Sequence, residues 1–193
     1  MTVQPDAGTE FDAAVAELRD TSFRSDIVVR EIGTPQGLAP FAIALAADVR
    51  PDEHGDSIYG TGRFVLLHDP DEPAAWNGSW RIVLFAQAPL EHEIGTDPLL
   101  ADVTWSWLVD ALDTHHAGYH SASGTSTTTL SKGFGGLSLE GDGAQIELRA
   151  SWTPEGPFRP HVEAWAELVG MLAGLPPGSE GIAVIGARKV ARD

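Results

Sequence analysis

Between residues 26 and 88 the chain reads as four strands in succession, with no helical stretch among them. Strands joined this way pair antiparallel, because a parallel return needs a long crossover connection. Asp26 to Ile32 alternates Ile27 and Val29 with Val28 and Arg30. Phe41 to Val49 sets Phe41, Ile43 and Leu45 on one parity against alanines on the other, and those small side chains predict a closely packed helix on their side. Arg63 to His68 and Trp80 to Ala88 have the strongest strand character and flank Asp69 to Ser79, rich in Pro, Asp, Asn and Gly, so they read as a hairpin with a long loop. Gly33 to Gly37 is a turn by composition, and Arg50 to Gly60 an exposed acidic loop.

Three helical patterns surround these strands. After a loose terminus at 1–8, Thr9 is the expected cap, with Asp12 in capping-box position and Phe11, Val15 and Leu18 on one face. The second helix takes Asp97 as N-cap and Pro98 as first residue, and ends near Gly118. Its stripes are Leu100, Val103, Trp107 and Trp105, Leu108, Leu112. Trp105 and Trp107 stand about 200° apart around the axis, so one is expected deep in the core and the other at a seam. The third starts near Pro160, carries Val162, Trp165, Val169 and Leu172 at helical spacing, and stops at Gly174 and Pro176-Pro177.

Two further strands precede that helix. Tyr119 to Leu130 is rich in Ser and Thr and suits a half-exposed strand, with Gly124 marking a bulge. Ala144 to Trp152 alternates Ile146, Leu148, Ala150 and Trp152 with polar residues, and a glycine-rich loop lies between the two. The order predicts an α+β fold: a mostly antiparallel sheet of about six strands, with three helices packed mainly on one face. One domain is expected over 1–193, with its core at about 10–177. The tail from 178 is expected to be loose, its apolar run Ile182 to Ile185 either adding an edge strand or staying free.

The formal charge of −16 repels phosphate backbones and anionic lipid at long range, so nucleic acid is disfavoured as a partner. The chain has no cysteine, which removes disulfide, thiolate and Fe–S chemistry and fits a reducing compartment. It begins without a signal-peptide pattern, and its longest apolar run, about eight residues, falls short of a membrane span. A cytoplasmic protein with no membrane partner is expected.

Reactive motifs are sparse. His115, His116 and His120, with Asp113 nearby, are the residues closest to a metal set, but adjacent histidines on a helix point apart. No metal and no cofactor are expected. His120 adjoins Ser121, yet no Gly-x-Ser-x-Gly elbow is present. Gly133-Phe-Gly-Gly136 lacks the Lys-Ser/Thr of a phosphate-binding loop, and Asp52, Glu53 and Asp56 read as a solvated acidic turn. A different pattern has more physical content. Arg30, Arg63, Arg81 and Arg149 fall one to each of four strands. Registered together on a helix-free sheet face, they would form a cationic strip that favours small anionic or acidic-peptide partners over long polyanions. Cross-strand pairing with Glu31 and Glu147 is the alternative use of the same residues.

Several segments are distinctive in sequence and in order: Gly62-Arg63-Phe64-Val65-Leu66-Leu67-His68-Asp69-Pro70, Trp80-Arg81-Ile82-Val83, Asp97-Pro98-Leu99-Leu100, Trp105-Ser106-Trp107-Leu108, Ser123-Gly124-Thr125, Phe134-Gly135-Gly136-Leu137, Glu147 to Pro154, His161-Val162-Glu163-Ala164-Trp165 and Gly174-Leu175-Pro176-Pro177. Together they resemble an actinobacterial family of unknown function, number three thousand among such domains, over roughly residues 10–177. The resemblance implies a soluble, cytoplasmic protein and carries over no activity, cofactor or catalytic residue. It also implies chromosomal proximity to a ribonuclease D-like exonuclease.

Three functional expectations follow. The first is a non-enzymatic protein-interaction or binding module, with self-association across the open sheet face or an edge strand as one form. The second is a small enzyme or ligand-binding domain, with a pocket between sheet and helices lined by Arg63, Arg81, His68 and Trp107. The third is an RNA-associated accessory factor. The binding residues expected across these readings are Arg63, Arg81, Arg149, His68 and Trp107.

Overall fold

The computed structural model describes residues 6–50, 58–137 and 142–176. Its strands are β1 (Ile27–Ile32), β2 (Phe41–Val49), β3 (Thr61–His68), β4 (Trp80–Leu90), β5 (Gly118–Lys132) and β6 (Asp142–Glu155). They form one antiparallel sheet in the order β1-β2-β3-β4-β6-β5. Helix α1 (Ala7–Arg19) precedes it, α2 (His92–Gly95) and α3 (Leu100–Thr114) connect β4 to β5, and α4 (Arg159–Leu172) follows β6. The first four strands pair with their neighbours in sequence. The chain then passes through α2 and α3 to the far edge, and β6 returns between β5 and β4.

The helices share one face. Val15 of α1, Leu108 of α3 and Trp165 of α4 belong to a single buried cluster with Phe64, Leu84 and Leu148 of the sheet. Among the described residues the opposite face holds a small cluster of Ala44, Val65 and Leu67, covered by Ile32 and by Trp76 from the β3–β4 loop. This is the α+β arrangement that the strand succession requires. None of the described helices is long and apolar enough to cross a membrane.

Glycine, rather than the alanine parity of β2, sets where the helices approach. Ile43, Leu45, Ala47 and Val49 join the main core, whereas Ala42 and Ala44 pack with the opposite cluster, so the expected helix on the alanine side is on the other side. Close approach occurs at Gly62 of β3, where an added Cβ would lie 2.5 Å from Val169 Cγ2 and 2.8 Å from Trp165 Nε1. Gly124 of β5 works alike: its Cβ would lie 2.6 Å from Trp105 Cζ3 and 2.5 Å from the Arg149 carbonyl oxygen. Gly124 is therefore a landing place for α3 and not a bulge. The bulge falls between His120 and Ser123, with Ser121 at φ 54°.

On α3 the buried line is Leu100, Thr104, Leu108, Ala111 and Leu112. Trp105 and Trp107 flank that line and are both half-buried, so neither indole reaches the deep position expected of one of them. Buried Thr104 donates its hydroxyl to the Leu100 carbonyl at 2.7 Å, which removes the cost of placing a polar group there. The deep indoles are Trp152 and Trp165, both fully buried.

Helix ends differ from the sequence expectation by a few residues. Helix α1 begins at Ala7, inside the segment expected to be loose, which puts Thr9 within its first turn. Asp97 Oδ1 accepts the Leu99 N–H at 2.9 Å and orders the turn before α3, which starts at Leu100. Helix α3 stops before Gly118: His116 takes the left-handed conformation (φ 56°), and the Ala117 N–H bonds the Leu112 carbonyl at 2.9 Å. Helix α4 ends as expected, with Gly174 at φ 77° and the Leu175 N–H on the Gly170 carbonyl at 2.9 Å. Most of the acidic loop at 50–60, part of the loop before β6 and the tail with Ile182 to Ile185 lie outside the described residues.

Candidate functional site

The helix-free face carries the arginines. Cross-strand register aligns Arg30 with Ala46, Ala46 with Arg63, Arg63 with Phe85, Phe85 with Arg149 and Arg149 with Thr125. One row thus crosses all six strands, with arginine at every second position. Neighbouring strands lie about 4.8 Å apart, so successive arginines of the row are about 10 Å apart at their backbones and the three span about 19 Å. Ala46 between the first two is fully buried, so its small side chain leaves the space above it to neighbouring side chains.

The three guanidinium groups differ in what holds them. Arg30 pairs with buried Asp48, and Arg149 donates Nε–H to Glu147 at 2.6 Å. Arg149 also lies over the Phe85 ring, 5.6 Å from its centroid, where the ring quadrupole attracts the cation. Arg63, in the middle, donates to Thr61 Oγ1 at 2.9 Å and to the Gly62 carbonyl at 2.8 Å. It has no carboxylate partner among the described residues. Three cations meet two carboxylates here, and the unmatched one is central.

Arg81 lies on the same face, two side-chain positions along β4 from Phe85, and has a different role. It is buried and donates to the Ser121 carbonyl (3.0 Å), Thr153 Oγ1 (3.2 Å) and Ser151 Oγ (2.7 Å). The bulge at Ser121 turns that carbonyl toward it. Thr153 in turn donates to the Trp76 carbonyl, so Arg81 ties β4, β6, the bulge of β5 and the β3–β4 loop together. Burial pulls its pKa below the ordinary value, but a guanidinium keeps its proton throughout the range of protein chemistry. A shallow concavity of about 540 Å³ adjoins the Arg149 end of the row, walled by Val83, Phe85, Ser123, Thr125, Arg149 and Ser151.

A family model described as protein of unknown function (DUF3000) matches residues 7–183. The chain belongs to the DUF3000 family. No curated protein and no solved structure matches it.

In this DUF3000 member the residues expected to line one pocket fall on two sides of the sheet. Arg63, Arg81 and Arg149 are on the helix-free face. His68 is buried on the helix side, stacked on Trp80 at 4.0 Å and donating Nδ1–H to the Ser79 carbonyl at 3.1 Å, and Trp107 belongs to α3. The reason is strand parity: His68 is an odd number of residues from Arg63. Trp152, Trp165, Phe64 and Leu66 fill the space between sheet and helices where that pocket would lie. Glu31 also departs from expectation. As the neighbour of Arg30 it points to the opposite face, where Nε–H and Nη2–H of Arg19 each donate to one of its carboxylate oxygens at 3.0 Å.

The histidines do not converge. His115 Nε2 meets Glu167 Oε2 at 2.6 Å and its Nδ1 lies 3.5 Å from Glu163, His116 forms the helix stop, and His120 bonds Ser121 Oγ at 3.0 Å. Among the described residues no three His, Cys, Asp or Glu side chains are placed to hold a metal ion. Phe85 and Ser151 went unread as site residues. Phe85 has the same parity as Arg81, which is its only signal in the sequence.

Proposed function

We propose that this chain is a non-enzymatic binding module that holds an acidic segment of another protein on the helix-free face of its sheet. The row Arg30–Arg63–Arg149, with Arg63 lacking a carboxylate partner among the described residues, carries this reading. The row of arginine backbones runs about 19 Å across the sheet, a length that about six residues of extended peptide span and a single small anion does not. The chain's overall charge of −16 opposes a long polyanion, while a short acidic segment responds mainly to the charges within a Debye length. Val83, 38% exposed, and Phe85 add apolar surface beside the row. A catalytic pocket between sheet and helices has less support, because large side chains fill that space.

The test is titration with capped hexaglutamate, and separately with inorganic phosphate, monitored by NMR at low and high salt. Saturable, salt-sensitive binding of the peptide is expected, weakened by Arg63→Ala by about tenfold or more, the cost of one charge-assisted hydrogen bond. Equal binding by wild type and Arg63→Ala would remove the reading. A preference for phosphate would make the site one for a small anion instead.

A further inference from the structure

The two edges of the sheet are built differently. Edge strand β1 has six residues with Arg30 and Glu31 in its middle, and Arg19 of α1 is bonded to Glu31 beside it. Short length and charge are the usual means by which an edge avoids pairing with another chain. Edge strand β5 is long and carries no charge before its last residue, Lys132. It runs 15 residues, most of them exposed, and the sequence from Thr114 to Ser131 contains no Asp, Glu, Lys or Arg and no Pro. On a chain of charge −16, this is a long edge that a second copy can approach without placing charge against charge.

We infer that β5 is a self-association edge: two copies pair β5 against β5, antiparallel, about a two-fold axis at Ser126. The sequence is self-complementary in that register. Ser126 meets the second copy's Ser126, Thr125 meets Thr127, Gly124 meets Thr128 and Ser123 meets Thr129. Hydroxyls thus face hydroxyls at all of these positions except Gly124–Thr128, and Ser/Thr cross-strand pairs stabilise antiparallel ladders. Ser126 Oγ is enclosed on the helix side of the strand and has no hydrogen-bond partner in the single chain, so at this position the backbone of β5 is what the second copy meets.

Charges set one strand back also match. Thr125 is registered with Arg149 and Thr127 with Glu147 on β6. Pairing Thr125 with the second copy's Thr127 therefore puts Arg149 of each copy in line with Glu147 of the other. The interface is isologous, as a closed dimer requires, and joins two six-stranded sheets into one of twelve. This inference does not depend on the arginine row binding an acidic partner.

Sedimentation velocity of the full chain, from sub-micromolar to tens of micromolar, reads it directly. A concentration-dependent dimer is expected, and its loss in both Ser126→Lys and Thr127→Lys. Thr127 is exposed, so its variant keeps the test valid if the half-buried Ser126 tolerates lysine poorly. Because the chain has no cysteine, single cysteines report register cleanly. Under mild oxidation Ser126→Cys should cross-link to itself and Thr129→Cys should not, whereas a mixture of Ser123→Cys and Thr129→Cys chains should form the mixed dimer. A wild-type chain monomeric throughout, or a dimer that survives Thr127→Lys and leaves Ser126→Cys uncrosslinked, would overturn the inference.

Discussion

His161 shows how one residue of this chain couples burial to pH. It is fully buried on α4, and its Nδ1 accepts the Trp152 indole N–H at 3.1 Å, which requires the neutral ring. Burial pushes its pKa down to about 4, with the Glu155 backbone pulling weakly the other way. An exposed histidine titrates near 6.5, so between about 6.5 and 4 the unfolded chain takes up a proton that the folded chain refuses. The stabilisation is fully present above the unfolded value and is lost as pH falls toward 4, to a total of about 3 kcal/mol. Urea unfolding of wild type and His161→Gln at pH near 7.5 and 4.5 isolates the contribution: the wild type should lose about 2–3 kcal/mol more than the variant. Equal losses would show that His161 titrates alike in both states. The sequence marked His161 only as the first residue of a segment that carries the family resemblance, because the pattern Val162, Trp165, Val169 and Leu172 describes the helix face without saying which polar neighbour goes inside. The arginines were more legible. One per strand pointed to a shared face, but Glu31, expected as a cross-strand partner of the arginines, is on the opposite face with Arg19, and Arg30 pairs with Asp48 instead.

At the scale of elements, the order and type of strands and major helices were legible because long periodic segments carry a strong signal. Their ends were less so. Helix α2 is four residues long and has no room for a period, and the stop of α3 uses a left-handed His116 where glycine would be the ordinary choice. The contact of α4 with β3 makes a sharp prediction. Gly62→Ala puts a methyl within 2.5 Å of Val169 Cγ2, and should destabilise the fold by about 1–3 kcal/mol through overpacking. Val169→Ala should cost less in the Gly62→Ala background than in wild type, because the two changes compensate in volume. Additive costs in thermal or urea unfolding would mean that α4 does not press on Gly62. Trp165, beside the same glycine and 5.5 Å from the Phe64 ring, anchors the contact. Trp165→Ala should cost about 3–5 kcal/mol.

For the whole molecule, the question is what a strongly acidic chain does with a sheet padded on one side. Its apolar interior lies between sheet and helices, and the other face exposes a row of arginines at alternate strands. The one-sided architecture and the possibility of that row were legible in the order of elements, but strand order and register are long-range properties, fixed by which edges meet in three dimensions. They decided that Arg63 sits between Arg30 and Arg149, and that His68 and Trp107 lie apart from them. The most direct test of the account is a residue-resolved NMR map of the wild-type chain with capped hexaglutamate. Backbone shifts should concentrate at Ala46, Arg63, Phe85, Arg149 and Thr125, crossing the sheet in one line and leaving α3 and α4 unmoved. Shifts centred on the helices, or scattered without regard to the row, would contradict it.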